Sequence, residues 1–564
     1  MRRFICVVCF GVAAHLGRAD VAPAGRDSRD MNILMIVVED WSAFAIGAYG
    51  NPVVQTPNVD RLAKEGVRFD RAYCQGTVCN PSRASLVTGL RTDSTRVYGN
   101  GEAMDKVVPV DAPSLARVLK AREGAWLGTI GKLVHRWDEA RRFGAGFDLN
   151  EYTHPYDILE KFGGEQRPVP APAGMSVWAE DEAWLLPPPH GQRLRELQAE
   201  REARKAAGEQ DTWELRKWFQ QYHAEMIGDS GLPDEAMEDG RIARRTVDLL
   251  GQLARRDGGK PFFLSVGFYS THTPLLAPKK YVDLYDPAAM QRSPAQPEND
   301  TGVPAVARRM GRNYDIFNGL YPQFAQTPER EREALAAYYA CASYVDAQIG
   351  LVLAGLEAAG LADNTIVVFF SDHGFQLGEH GMWSKFSLFE QSTRVPLIVR
   401  MPGAAGNGRA TDAMVELVDV LPTLAEWWGL PRDPRWEGDS FAPLVQQPVQ
   451  PWKEAVFATI PISGLGRMVR TPGWRYSEWR KDTALPGRTP PVARELYDLR
   501  KDPWEQINLA DDPAHTAKAA EMAARLQAGW RAARPPGAGE AIAMCGGMPT
   551  ADRHESELYP NPKA

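Results

Sequence analysis

Six cysteines among 564 residues are too few for a disulfide scaffold. Two of them, Cys6 and Cys9, fall in an N-terminal stretch expected to be removed, which leaves Cys74, Cys79, Cys341 and Cys545. Net positive charge is also missing. The 65 Lys and Arg against 72 Asp and Glu give a formal charge of −7, which argues against a nucleic-acid binder but allows a local cationic pocket. Beyond the N-terminus no segment approaches the ~20 apolar residues of a membrane-spanning helix. The mature chain is therefore expected to be soluble, with no integral membrane segment. The early apolar run, Phe4 to Leu16, is too short to span. Arg2 and Arg3 precede it and Gly17-Arg18-Ala19 follows, so residues 1–19 read as an export signal of a periplasmic or secreted protein.

The chain is longer than one hydrophobic core supports, so a large unit over 30–445 and a smaller one over 446–564 are expected. Short β-branched or aromatic runs alternate with helical patterns. Asn32 to Val38, Ala125 to Ile130, Pro261 to Phe268 and Thr365 to Phe370 read as buried strands, and Arg330 to Ala359 reads as a helix that buries Cys341. This is α/β grammar: a large, mostly parallel central sheet flanked by helices. A helical insertion is expected over about 151–240, with Gln192 to Tyr222 exposed. Met468-Val469-Arg470, Trp474-Arg475-Tyr476 and Leu496 to Leu499 predict a smaller α+β unit with an antiparallel sheet, closed by a helix near Thr516 to Ala533.

Each of the four strands ends in polar, ionisable residues: Glu39-Asp40, then Lys132 and His135, then His272, then Asp372-His373. Parallel sheets gather ligands beyond the carboxyl ends of their strands, so four such endings predict one shared site. Glu39, Asp40 and Asp372 offer hard oxygen ligands suited to calcium or magnesium, while His373 keeps manganese or zinc open. In Cys79-Asn-Pro-Ser-Arg83, Asn80 can cap a helix and Pro81 suits its first turn, which sets Cys79 beside a helix N-terminus. On these residues alone Cys79 is either a thiolate nucleophile or a disulfide partner of Cys74.

Cys79-x-Pro81-Ser82-Arg83, continuing to Thr88-Gly89, resembles the signature of formylglycine-dependent sulfatases. Gly131-Lys132-x-x-His135, Phe262 to Phe268 with His272, Asp372-His373-Gly374, Gly378-Glu-His-Gly381, Trp383-x-Lys385 and Val395-Pro-Leu-Ile398 are similar to the iduronate-2-sulfatase branch in particular. Glu495 to Leu509 resembles sulfatase C-terminal domains. The resemblance implies an alkaline-phosphatase-like sandwich and hydrolysis of sulfate esters, with a sulfated carbohydrate as substrate. It implies that a formylglycine-generating or sulfatase-maturating enzyme converts Cys79 to 3-oxoalanine (formylglycine). It implies one calcium ion held by Asp40, Cys79, Asp372 and His373, with Glu39 as a further ligand where most relatives carry Asp. The same resemblance gives Arg83 the orientation of the hydrated aldehyde and Lys132 and Lys385 the sulfate charge. His135 becomes the base of the return step and His272 the general acid, while His380 is read as structural. Two other readings are a phosphate or phosphonate monoester hydrolase of the same superfamily and a non-catalytic carbohydrate-binding protein.

Overall fold

The computed structural model describes residues 27–538 except 137–138, 153–175, 178–188, 211, 213–214, 216–217, 220, 257–258, 309–315, 318–321, 463, 483–485 and 488. The expected export signal, Cys545 and the rest of 539–564 lie outside these residues, as does much of the expected insertion.

A ten-stranded sheet forms the centre. Its order is Ala410–Thr411, Val67–Tyr73, Arg394–Arg400, Thr365–Ser371, Asn32–Val38, Phe262–Phe268, Trp126–Gly131, Leu149–Tyr152, Ser176–Val177, with Val415–Glu416 also on Val67–Tyr73. Among the described residues only Arg394–Arg400 runs against its neighbours in this sheet; the other pairings are parallel. Pro396 is tolerated inside that central strand because the register shifts between Val395 and Leu397, and a bulge spares the hydrogen bond proline cannot make. All four expected strands are present. Alternation along them divides the core: Ile33, Met35 and Val37 enter one apolar layer, Leu34, Ile36 and Val38 the other. The parallel sheet is thus covered on both faces, as its unbroken apolar strands require.

Pro328–Ala358 is the longest helix among the described residues. Thr327 caps it, accepting the Arg330 N–H at 3.2 Å, and Pro328 occupies its first turn. It is long and apolar enough to cross a membrane by length and composition, but 72% of its most apolar stretch is buried in the fold. Cys341 is buried on it, as expected. In the expected insertion a helix runs His190–Ala206. It is not simply a solvated face: Leu194 and Leu197 pack with Phe219, Tyr222 and Met226 in a small apolar cluster.

Val456–Ile460, Leu465–Arg470, Trp474–Arg480 and Ala493–Asp498 form an antiparallel meander, with the helix Thr516–Ala528 packed on one face. Its other face meets Val78, Met382, Phe386 and Phe389, so it abuts the segments that carry the candidate site.

Candidate active site

The Cys79–Thr88 helix is buried along its whole length. Asn80 does not cap it: Val78 is the N-cap residue, and the Asn80 Nδ2 donates to the carbonyls of Gly99 (3.0 Å) and Glu102 (2.7 Å). The side chain is drawn away from the helix by the loop that follows, whose Asn100 Oδ1 accepts the Asn80 N–H at 3.1 Å. Cys79 nevertheless stands at the first helical position, as its motif predicts. Cys74 and Cys79 are both free thiols, which removes the disulfide reading.

Glu39 and Asp40 end the Asn32–Val38 strand, and Asp40 turns sharply with φ 60. That turn is over-determined. The Asp40 N–H donates to Asp372 Oδ1 (3.1 Å), while its carbonyl accepts Tyr338 OH (2.6 Å) and Thr271 Oγ1 (2.9 Å). Lys385 Nζ donates to both Asp40 oxygens at 2.9 Å and to Cys79 Sγ at 3.3 Å. Lys132 Nζ pairs with Glu39 Oε1. Arg83 Nε donates to Asp372 Oδ2 at 3.0 Å, and its Nη1 donates to the Lys132 and Leu133 carbonyls at 2.8 and 3.1 Å. Gly131 and Gly267 make this approach possible: a Cβ on Gly267 would lie 2.1 Å from the Lys132 carbonyl. His272 Nε2 is 3.8 Å from Asp40 Oδ2. His135 lies in the turn after Lys132 and is half-buried. Its expected role rests on the spacing of its motif.

The donors fit a cation. Glu39, Asp40, Cys79 and His272 offer ligand atoms within 4.8 Å of one another, and so do Cys79, Asp372 and His373. His373 Nδ1 donates to the Gly374 carbonyl at 2.8 Å, which turns Nε2 toward Asp40 Oδ1 at 3.1 Å and Cys79 Sγ at 3.3 Å. Lys385 Nζ lies 2.9 Å from the same Asp40 oxygen. Among the described residues the buried Glu39 Oε2 and Arg83 Nη2 have no hydrogen-bond partner. Three carboxylates with one imidazole suit an oxygen-preferring divalent ion.

Burial would raise the Glu39 carboxyl, but Lys132, His272, Arg83 and Lys385 outweigh it and hold it well below the usual range. Asp372 is held down, against burial, by His373 and Arg83. Burial pushes the Cys79 thiol well up, against Lys385, so the unmodified side chain is a protonated thiol and a poor nucleophile. That counts against a thiolate hydrolase. His272 is lowered by burial and by Lys385.

Sequence reading missed the residues that hold the site. Tyr338 comes from the middle of an ordinary-looking helix, and Thr271 carries no motif of its own. Another is the buried His223, whose Nδ1 lies 3.1 Å from Thr273 Oγ1 and whose ring meets His272 edge-on at 6.2 Å. None carries a local signal, since each is defined by contacts distant in sequence.

Known proteins resemble this chain in sequence and in fold. The family described as Sulfatase matches residues 31–430, and N-sulphoglucosamine sulphohydrolase, C-terminal matches 378–531. Iduronate 2-sulfatase of Mus musculus is 28% identical over 88% of this chain and 93% of its own length. Among solved structures, the phosphonate monoester hydrolase of Agrobacterium radiobacter superposes with a TM-score of 0.65 at 24% identity, covering 89% of this chain and 95% of that one. A protein solved in complex with its substrate D-glucosamine-2-N,6-O-disulfate superposes at 0.61 with 20% identity, covering 88% and 97%. Both confirm the alkaline-phosphatase-like sandwich.

Proposed function

The chain belongs to the sulfatase family, a group of sulfuric ester hydrolases, and we propose that it acts on sulfated sugars through an oxidised Cys79 beside one calcium ion. The observation that carries this reading is the convergence of Cys79, three carboxylates and two lysines in one buried cluster. The similarity to iduronate 2-sulfatase and to the fold that binds glucosamine disulfate favours a carbohydrate substrate. Maturation then requires a formylglycine-generating or sulfatase-maturating enzyme, and the N-terminal pattern supports export.

When bound, calcium would supply charge against the sulfate oxygens; the oxidised side chain would supply a hydrated aldehyde, with one hydroxyl to attack and one to release. The chain's own residues do the rest. Lys132 and Lys385 hold the negative charge of the sulfate, each worth roughly 4 kcal/mol at 4 Å and an effective dielectric of 20. Arg83 locks Asp372 and the backbone after Lys132, which fixes the lysine's reach. His272 donates Nδ1–H to the Thr273 carbonyl at 2.7 Å, so Nε2 is the atom that delivers a proton to the departing sugar oxygen. The sulfate's charge opposes the lowering that Lys385 imposes on this imidazole. His135, past the same strand as Lys132, is the base for the return step.

The fold shared with a phosphonate monoester hydrolase keeps one rival in view, because the same clamp fits a phosphoryl group. Paired aryl sulfate, phosphate and phosphonate esters decide between them. A sulfatase should favour the sulfate by at least about tenfold in kcat/KM, or ~1.4 kcal/mol. A preference for phosphonate would transfer the reading to the rival.

A further inference from the structure

Lys385 lies between two non-glycine residues of left-handed backbone, Ser384 at φ 74 and Phe386 at φ 69. Such conformations persist only where neighbours impose them. Both ends of the segment are held. On one side His380, itself at φ 56, sets Nδ1 against Asp300 Oδ1 at 2.9 Å, with its ring stacked on Phe389 at 3.9 Å. On the other, the Glu390 N–H donates to Glu505 Oε2 at 2.7 Å, across 115 residues of sequence.

Glu505 is fully buried, has φ 60, and pairs through Oε1 with Arg475, whose guanidinium lies 4.9 Å above the Phe389 ring. The same C-terminal loop reaches the first end too. Its Gln506 carbonyl accepts the Thr301 N–H at 2.7 Å, and its Asn508 N–H donates to the Thr301 carbonyl at 2.9 Å, next to Asp300. One loop thus touches the anchors on both sides of Lys385.

We propose that Glu505 is a positioning residue that sets Lys385 against Asp40 and Cys79, with its loop bracing the Lys385 segment from both ends. This rests on the reading that Lys385 serves the reaction. The simpler alternative is that Glu505 only neutralises Arg475 inside the C-terminal sheet.

Two readouts separate these. Hydrogen exchange across 380–393 should speed up about tenfold in Glu505→Ala, with the central strands unchanged. Leu526→Ala, buried on the far face of the C-terminal sheet, is the control for general destabilisation and should leave that segment as in wild type. Should Glu505→Ala not fold, Glu505→Gln, which keeps an acceptor for the Glu390 amide but loses the charge, carries the test with a smaller increase of the same sign. In the second readout, Glu505→Gln should lower kcat several-fold in the otherwise wild-type enzyme and add nothing in a Lys385→Ala background. Wild-type exchange across 380–393, or losses that multiply in the double variant, would overturn the brace. If Lys385→Ala itself kept wild-type kcat, the role of Lys385 would fail, while hydrogen exchange would still decide whether Glu505 holds the segment.

Discussion

Two buried charge clusters flank the Lys385 segment, and they are built on opposite plans. In the C-terminal sheet Arg475 spends its guanidinium on Glu505, on Glu495 at 3.3 Å and on Ser477 at 2.7 Å. Glu495 is completed by Tyr497 OH at 2.9 Å and Trp479 Nε1 at 2.6 Å. That cluster is satisfied by its own groups, with Glu505 Oε2 reaching out to the Glu390 amide. At the strand ends, Glu39 Oε2 and Arg83 Nη2 are left over among the described residues. Buried charge is costly unless paired, so a cluster that keeps unused donors and acceptors is prepared for something that arrives. The first cluster is satisfied within the fold and reaches the Lys385 segment through Glu505, whereas the second keeps atoms that a ligand could take.

The comparison breaks most sharply at Cys79. Cys79→Ala should cut aryl sulfate turnover at least about 10⁴-fold and leave the thermal midpoint within a few degrees of wild type. Turnover near wild type would remove the nucleophile. Next come the carboxylates. Asp40→Asn and Asp372→Asn should lose bound calcium, as read by elemental analysis of purified protein, and about 10²–10³ in kcat. Glu495→Gln should keep its calcium and lose about 1–3 kcal/mol of stability in urea, since it leaves Arg475 short of a partner. Equal calcium content in all three would erase the distinction between the clusters.

The smallest effect sharpens it. Asp239, buried and accepting the Tyr269 and Ser270 amides at 2.7 and 2.8 Å, is pushed up by burial from 3.8 to about 6. An acid with a raised folded value binds more protons when folded. Its contribution is therefore full below pH 4 and is lost as pH rises through about 6. Between pH 4.5 and 7.5 the wild type should lose about 2 kcal/mol more stability than Asp239→Asn. Glu39, held low by Lys132, has the opposite sign: in metal-free protein its contribution is present above pH 4.5 and fades as pH falls below it. Identical pH slopes for wild type and Asp239→Asn would show that burial does not govern that carboxyl.

What could be read from the sequence follows the same division. The strand ends were legible because a doubly covered parallel strand is an unbroken apolar run, and a polar pair at its end stands out. Glu39-Asp40 and Asp372-His373 are of that kind, and the structure brings them together with Cys79. The antiparallel meander was legible from its alternating runs. Asn80 was misread, because capping propensity is local whereas the partners of its amide, Gly99 and Glu102, belong to a loop. Charge around Gln192 to Tyr222 hid Leu197 and Tyr222, which pack inward. Glu505 was visible only as part of a motif; its contact with the Glu390 amide arises from folding alone.

The central claim is that position 79 carries an aldehyde in the active protein. Intact-peptide mass spectrometry of the segment containing Cys79, from enzyme that turns over a sulfate ester, tests it most directly. The expected peptide is lighter than the encoded one by a sulfur and two hydrogens and heavier by one oxygen. An unmodified thiol in fully active enzyme would contradict it.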